Sequence, residues 1–150
     1  MTRILIVEDE PIVALNYASI LEDAGFEVLG PVGSIRKGIE IVGRERLDGA
    51  VLDIDLRGVP VDPIILALQR KSVRYIFVSA YPAMVGPYKN AVFLEKPCTA
   101  SELIQAVNAL VLPAQLEGPA ADNAAHCVAR VIRRELDELR PENNCDAPGR

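Results

Sequence analysis

The sequence contains no tryptophan and few aromatics, about 5% of its residues, so any core must be built from Val, Ile, Leu and Ala. No apolar run approaches the roughly 18 residues of a membrane-spanning helix. The N-terminus, MTRILIVEDEP, turns acidic after four apolar residues, too short a run for a signal-peptide core. Basic charge is also short: 16 Lys and Arg stand against 21 Asp and Glu, for a net charge of −5. An acidic chain repels phosphate backbones, which argues against direct nucleic-acid binding. Three cysteines, Cys98, Cys127 and Cys145, lie far apart with neither zinc-ligand spacing nor an even count. They read as reduced thiols, and the chain as a cytoplasmic protein with no membrane contact. No P-loop or GxGxxG follows any apolar run, which disfavours a nucleotide-binding enzyme.

What is present is an alternation. Residues 3–7, 26–30, 49–54, 75–79 and 91–95 are short apolar runs, the first of them rich in β-branched residues. Between them lie helical signals. Pro11 opens a segment with Val13, Tyr17, Ile20, Leu21 and Ala24 at helical spacing, closed by Gly25. Ser34 can cap a helix through about residue 42, and Asp62 and Pro63 read as cap and first turn of a helix through about residue 70. Thr99 with Glu102 is a capping box, followed by the apolar face Leu103, Ile104, Val107, Leu110 and Val111. Strands alternating with helices predict an α/β, doubly wound, five-stranded parallel sheet with right-handed crossovers.

Such sheets place their sites at the carboxyl ends of the strands. Glu8, Asp9, Asp53, Ser79 and Lys96 all stand at or just beyond a predicted strand end, so the fold gathers them at one mouth. Several acids there repel one another unless a cation sits among them, and hard oxygen donors suit Mg²⁺. A carboxylate beside such an ion can act as a nucleophile toward a phosphoryl group. Lys96 would neutralise the transferring oxygens and Ser79 would hydrogen-bond one of them. The sheet geometry puts Asp53 near the middle of the set, the first choice as acceptor.

These residues resemble the receiver domain of response regulators in two-component signalling. The matching elements are Glu8-Asp9 after the first strand, Asp53 after the third, Ser79 after the fourth, and Lys96-Pro97 after the fifth. The likeness covers about residues 1–112 and implies a flavodoxin-like receiver fold. It implies that Asp53 accepts a phosphoryl group from a histidine kinase or histidine phosphotransfer protein, making the chain a phosphoprotein and signalling switch. The chain would then catalyse its own phosphorylation and dephosphorylation without being an enzyme in the ordinary sense. Mg²⁺ is implied at Asp9 and Asp53, with Glu8 acting through water and the backbone carbonyl of Asp55 as a further ligand. Ser79 takes the position of the switch hydroxyl and Phe93 that of the switch aromatic.

The pattern departs from the family at Cys98, which stands where an apolar, often aromatic, residue is usual, and between Ser79 and Lys96. Only 16 residues, 80–95, separate Ser79 from Lys96, fewer than receivers commonly have. Pro82, Gly86 and Pro87 would interrupt a helix there, so the fourth helix is expected to be short or absent. Phe77-Val78-Ser79-Ala80-Tyr81 is similar to the Phe-Ala-Thr-Gly stretch of an atypical single-domain receiver subgroup.

Residues 113–150 read as a linker, a helix over about 121–140 and a disordered end. Val128, Val131, Ile132, Leu136 and Leu139 form one apolar stripe that needs a partner. It could serve a homodimer, or fold back over surface left by the shortened fourth helix; the face of the fifth strand and its following helix is another place for a second copy. From residue 114 the tail has five Arg and seven acids, unlike a DNA-binding output module. A single-domain switch acting through a downstream protein partner is expected.

Two other functions compete. A phosphorylation-independent scaffold would bind through the C-terminal helix. A phosphatase is suggested because Asp53-Ile54-Asp55 resembles the DxD motif of haloacid-dehalogenase-like enzymes. That motif wants Thr or Val where Arg57 stands, and sits on a first strand rather than a third.

Overall fold

The computed structural model describes residues 1–80 and 92–112. Among the described residues are five strands and four helices, in the order β1 (Arg3–Val7), α1 (Pro11–Asp23), β2 (Glu27–Val32), α2 (Ile35–Arg44), β3 (Gly49–Asp53), α3 (Asp62–Arg70), β4 (Arg74–Ser79), β5 (Val92–Glu95) and α4 (Ala100–Val111). The strands form one sheet in the order β2-β1-β3-β4-β5, every pairing parallel. This is the expected doubly wound sheet. The expected short or missing fourth helix falls on residues 81–91, and the tail helix on 121–140; both lie outside the described residues.

The strands are apolar almost throughout because both faces of the sheet are covered. Side chains alternate between them. Leu5, Val7, Ala50, Leu52 and Phe77 pack with Ile35, Val42, Ile64 and Leu68 of α2 and α3. Ile4, Ile6, Val51, Ile76 and Val78 pack with Tyr17, Leu21, Leu103 and Val107 of α1 and α4. Each Val, Leu, Ile or Phe among them, taken fully out of water, contributes about 1.5–3 kcal/mol, which makes these two aliphatic layers the main stabilising element.

Local signals set the element ends. After α1, Gly25 takes a positive φ of 89° and its N–H donates to the Glu22 carbonyl, while Phe26 N–H donates to Leu21. That pair of bonds is a Schellman closure. Ser72 closes α3 in the same way with φ 56°, its N–H on Gln69 and that of Val73 on Leu68. The Ser34 hydroxyl accepts from Lys37 N–H at 3.4 Å, and the Thr99–Glu102 capping box forms in both directions.

Two boundaries differ from the expectation. Asp62 lies inside α3, in its first turn, and Val61 takes the cap position. Strand β2 runs past Gly30 to Val32 although Pro31 lacks an N–H. It can do so because it is an edge strand paired on one side only, and its register with β1 shifts between Leu5 and Val7. Gly30 sits in that irregularity with φ 98°, where a Cβ would meet Val32 N at 2.9 Å.

Candidate functional site

The chain runs β1 to β2 toward one edge and β3 to β5 toward the other, so the strand order reverses between β1 and β3. The crevice beyond the carboxyl ends of those two strands is where doubly wound sheets bind ligands. Glu8 and Asp9 follow β1 directly, and Asp53 is the last residue of β3. Carboxylate oxygens of Glu8, Asp9 and Asp53 all lie within 4.8 Å of one another.

Lys96, just after β5, reaches across this crevice. Its Nζ donates to Asp53 Oδ2 at 2.7 Å and to Glu8 Oε2 at 2.6 Å. Its backbone N–H donates to the Ser79 carbonyl at 2.9 Å, which ties the start of the 96–99 turn to the end of β4. Backbone and side-chain donors hold further oxygens of the set. Asp53 Oδ1 accepts from Asp55 N–H at 2.8 Å, and Glu8 Oε1 from Glu10 N–H at 3.1 Å. Asp9 Oδ2 accepts from Arg57 Nε at 2.7 Å.

Glu8 and Asp53 are buried, and Asp9 and Lys96 half-buried. Burial pushes the Glu8 carboxyl above its ordinary range, outweighing the Lys96 hydrogen bond that pulls it down. Burial also works to lower the Lys96 ammonium, but its hydrogen bonds to Asp53 and Glu8 prevail and hold it above the usual lysine value. The two partners thus move the same way for different reasons. A second positive charge would relieve the crowded carboxylates more cheaply than protonation at neutral pH.

The expected residues therefore separate into groups. Glu8, Asp9, Asp53 and Lys96 are brought together. Ser79 ends β4, fully buried, one register step beyond the Asp53–Val78 pair. Asp55 gives its N–H to Asp53 but adds no carboxylate to the set of three. Phe93 is half-buried on β5, opposite Phe77 in the register and packed on the α2/α3 face with Tyr75. Arg57 was not expected at the site. It lies 48 residues from Asp9, and no spacing in the sequence announces the pair.

A family model, the response regulator receiver domain, matches residues 4–108. The chain belongs to the response regulator receiver family. It is similar to PhyR, the phyllosphere-induced regulator of Methylorubrum extorquens, with 32% identity over 84 residues, 54% of this chain and 32% of PhyR. The chain thus spans about a third of that relative's length. Among solved structures, a response regulator receiver protein from Sinorhizobium medicae superposes with TM-score 0.66 at 31% identity, covering 73% of this chain and 94% of that one. The receiver domain of a sensor histidine kinase from Pseudomonas aeruginosa, solved with a magnesium ion in its active-site cleft, gives TM-score 0.63 at 22% identity over 73% of this chain and 97% of that one; this likeness is one of fold. Receivers are the phosphoacceptor modules of two-component signalling, and Mg²⁺ at an acidic site is typical of them. No helix among the described residues is long and apolar enough to cross a membrane.

Proposed function

We propose that this receiver takes a phosphoryl group onto Asp53 from a phosphohistidine of a histidine kinase or histidine phosphotransfer protein, and acts through contacts with a downstream protein. The observation that supports this most is the Lys96 ammonium on both Asp53 and Glu8, beside three carboxylates within 4.8 Å. That donor set of hard, closely spaced oxygens fits Mg²⁺. Glu8, Asp9 and Asp53 would hold it, with the Asp55 carbonyl as a further ligand; when bound, it supplies positive charge beside the phosphoryl oxygens.

The chain's own groups do the rest. An Asp53 oxygen attacks phosphorus, and the P–N bond to the donor imidazole breaks with its electron pair left on nitrogen. Lys96 neutralises charge on the transferring oxygens. Its two present acceptors, Asp53 and Glu8, keep the ammonium at that spot before transfer. The Asp55 N–H fixes the carboxylate plane from the other side. Hydrolysis reverses the outcome: water attacks phosphorus and the acyl phosphate's P–O bond breaks, restoring the carboxylate.

The phosphoryl group adds about 1.5 to 2 negative charges to a packed site. Ser79 then hydrogen-bonds a phosphoryl oxygen, and Phe93 turns inward and reshapes the β5/α4 face. Phe93 sits on an edge strand and is half-buried, which leaves it room to move. Incubation with Mg²⁺ and radiolabelled acetyl phosphate tests the reading. Label on the wild type, lost on heating in base and absent from Asp53→Asn, is the expected result. An unlabelled wild type, or an equally labelled Asp53→Asn protein, contradicts it.

A further inference from the structure

Among the described residues, the Arg57 ion pair is a feature of the mouth that phosphoryl transfer does not use. Leu56 and Val59 form an antiparallel bridge, with Val59 N–H on the Leu56 carbonyl at 3.0 Å. The two residues between them, Arg57 and Gly58, have positive φ values of 54° and 74°. This is the two-residue hairpin geometry that favours Asn or Gly at its first central position. A long β-carbon-bearing side chain is a poor choice there for the backbone, so the turn gains nothing from arginine itself. What arginine provides is reach. Its side chain is 80% exposed, yet its Nε contacts a carboxylate only 11% exposed. Among the described residues Asp9 is its one ion-pair partner.

Formal charge shows what this contact must do. Lys96 pairs with Glu8 and Asp53, so three carboxylates and one ammonium leave two negative charges in the crevice. A divalent ion brings the set to neutrality by itself. With Arg57 also in place, the same set would carry an excess positive charge, and the Asp9 carboxylate would have to serve two cations. We infer that Arg57 is a displaceable latch: it occupies Asp9 in the metal-free protein, competes with the divalent ion for that carboxylate, and swings into solvent when the ion binds. This rests on the Mg²⁺ site proposed above and goes beyond it by assigning a residue that lowers the site's affinity. Because the guanidinium approaches from solvent, the competition is electrostatic and screened by salt. Arg57 is a positioning residue and touches no reacting atom.

The test is direct titration of the full chain with Mn²⁺, followed by electron paramagnetic resonance of the free ion. Arg57→Asn and Arg57→Gly remove the guanidinium while suiting the positive φ, so the hairpin is kept. Both should bind Mn²⁺ about two- to five-fold tighter than wild type, the range expected for releasing a largely exposed ion pair. Arg57→Lys, which retains the charge, should fall between. The gap should narrow as KCl is raised, and the Arg57 Nε–H resonance should shift when Mg²⁺ is added. Equal or weaker binding by both variants, with wild type still binding, overturns the latch alone. Absence of binding in wild type and variants overturns the metal site and the latch together.

Discussion

Opposite ends of one sheet carry charge clusters of nearly the same composition in different settings. At the amino end, Arg3 at the start of β1 pairs with Glu27 at 3.1 Å and Glu45 at 2.9 Å, and its backbone N–H donates to Asp48. At the carboxyl end, Lys96 faces Glu8 and Asp53 with Asp9 alongside. The amino end sets three acids around one cation; the carboxyl end sets three around Lys96, with Arg57 reaching Asp9 from solvent. Glu27 and Glu45 are 40% and 43% exposed, however, against 2% for Glu8 and 6% for Asp53. The amino-end acids spread into water around an arginine that also reaches the Arg46 carbonyl, and the cluster staples β1, β2 and α2. The carboxyl-end acids are packed against one another where desolvation works against charge. Charge composition alone does not make a site; crowding of like charges in a dry crevice does.

The largest expected effect comes from removing the cation at the crowded end. Lys96→Met leaves Glu8 and Asp53 buried without a counter-charge, and metal-free stability in urea should fall by about 3–5 kcal/mol. Added Mg²⁺ should restore part of it. The loss should shrink at lower pH, because Glu8 can take up a proton. In the wild type the raised Glu8 value means its share of stability is present below the ordinary glutamate range and is lost as pH rises through the raised value; Glu8→Gln should remove that share. A loss of under about 1 kcal/mol on Lys96→Met would put the two clusters in the same class.

Next in size, saturating Mg²⁺ should raise the unfolding free energy of the wild type, by about 2.7 kcal/mol at a hundredfold excess over its dissociation constant. Asp9→Asn should lose most of that gain and Arg3→Ala none of it, as read from paired thermal melts. Arg3→Ala itself should cost far less than Lys96→Met, and less still in high salt, because its carboxylate partners can hydrate. Equal costs for Arg3→Ala and Lys96→Met would break the contrast.

Smallest of all is the capping box beside the mouth. Hydrogen bonds from the Thr99 N–H and then its hydroxyl hold Glu102 below the usual carboxylate range. Its contribution is present above the ordinary glutamate value and lost as pH falls through the lowered one. Glu102→Gln should cost about 0.5 kcal/mol at neutral pH, and the difference from wild type should close in acid.

Much of the mouth was legible because parallel α/β alternation forces strand ends together, whatever their separation in sequence. That is why Glu8, Asp9, Asp53 and Lys96 could be grouped before any coordinate was known. The Thr99–Glu102 box was legible for the opposite reason, being wholly local. What escaped depends on backbone details between those scales. The Arg57–Asp9 pair needs two consecutive positive φ angles that no residue pattern at Arg57 signals, and in sequence Arg57 counted only as a mismatch to a phosphatase motif. Strand β2 continues through Pro31 only because the sheet leaves it one neighbour, and Asp62 entered α3 because Val61 took the cap.

The most direct measurement is borohydride trapping of the phosphorylated protein. Reduction of an acyl phosphate turns aspartate into homoserine, and peptide mass mapping then reports the position. After incubation with acetyl phosphate and Mg²⁺, homoserine should appear at residue 53 and nowhere else, and chelation of the metal should abolish it. Homoserine at Asp9, Asp55 or any other aspartate, or none at 53, would contradict Asp53 as the acceptor.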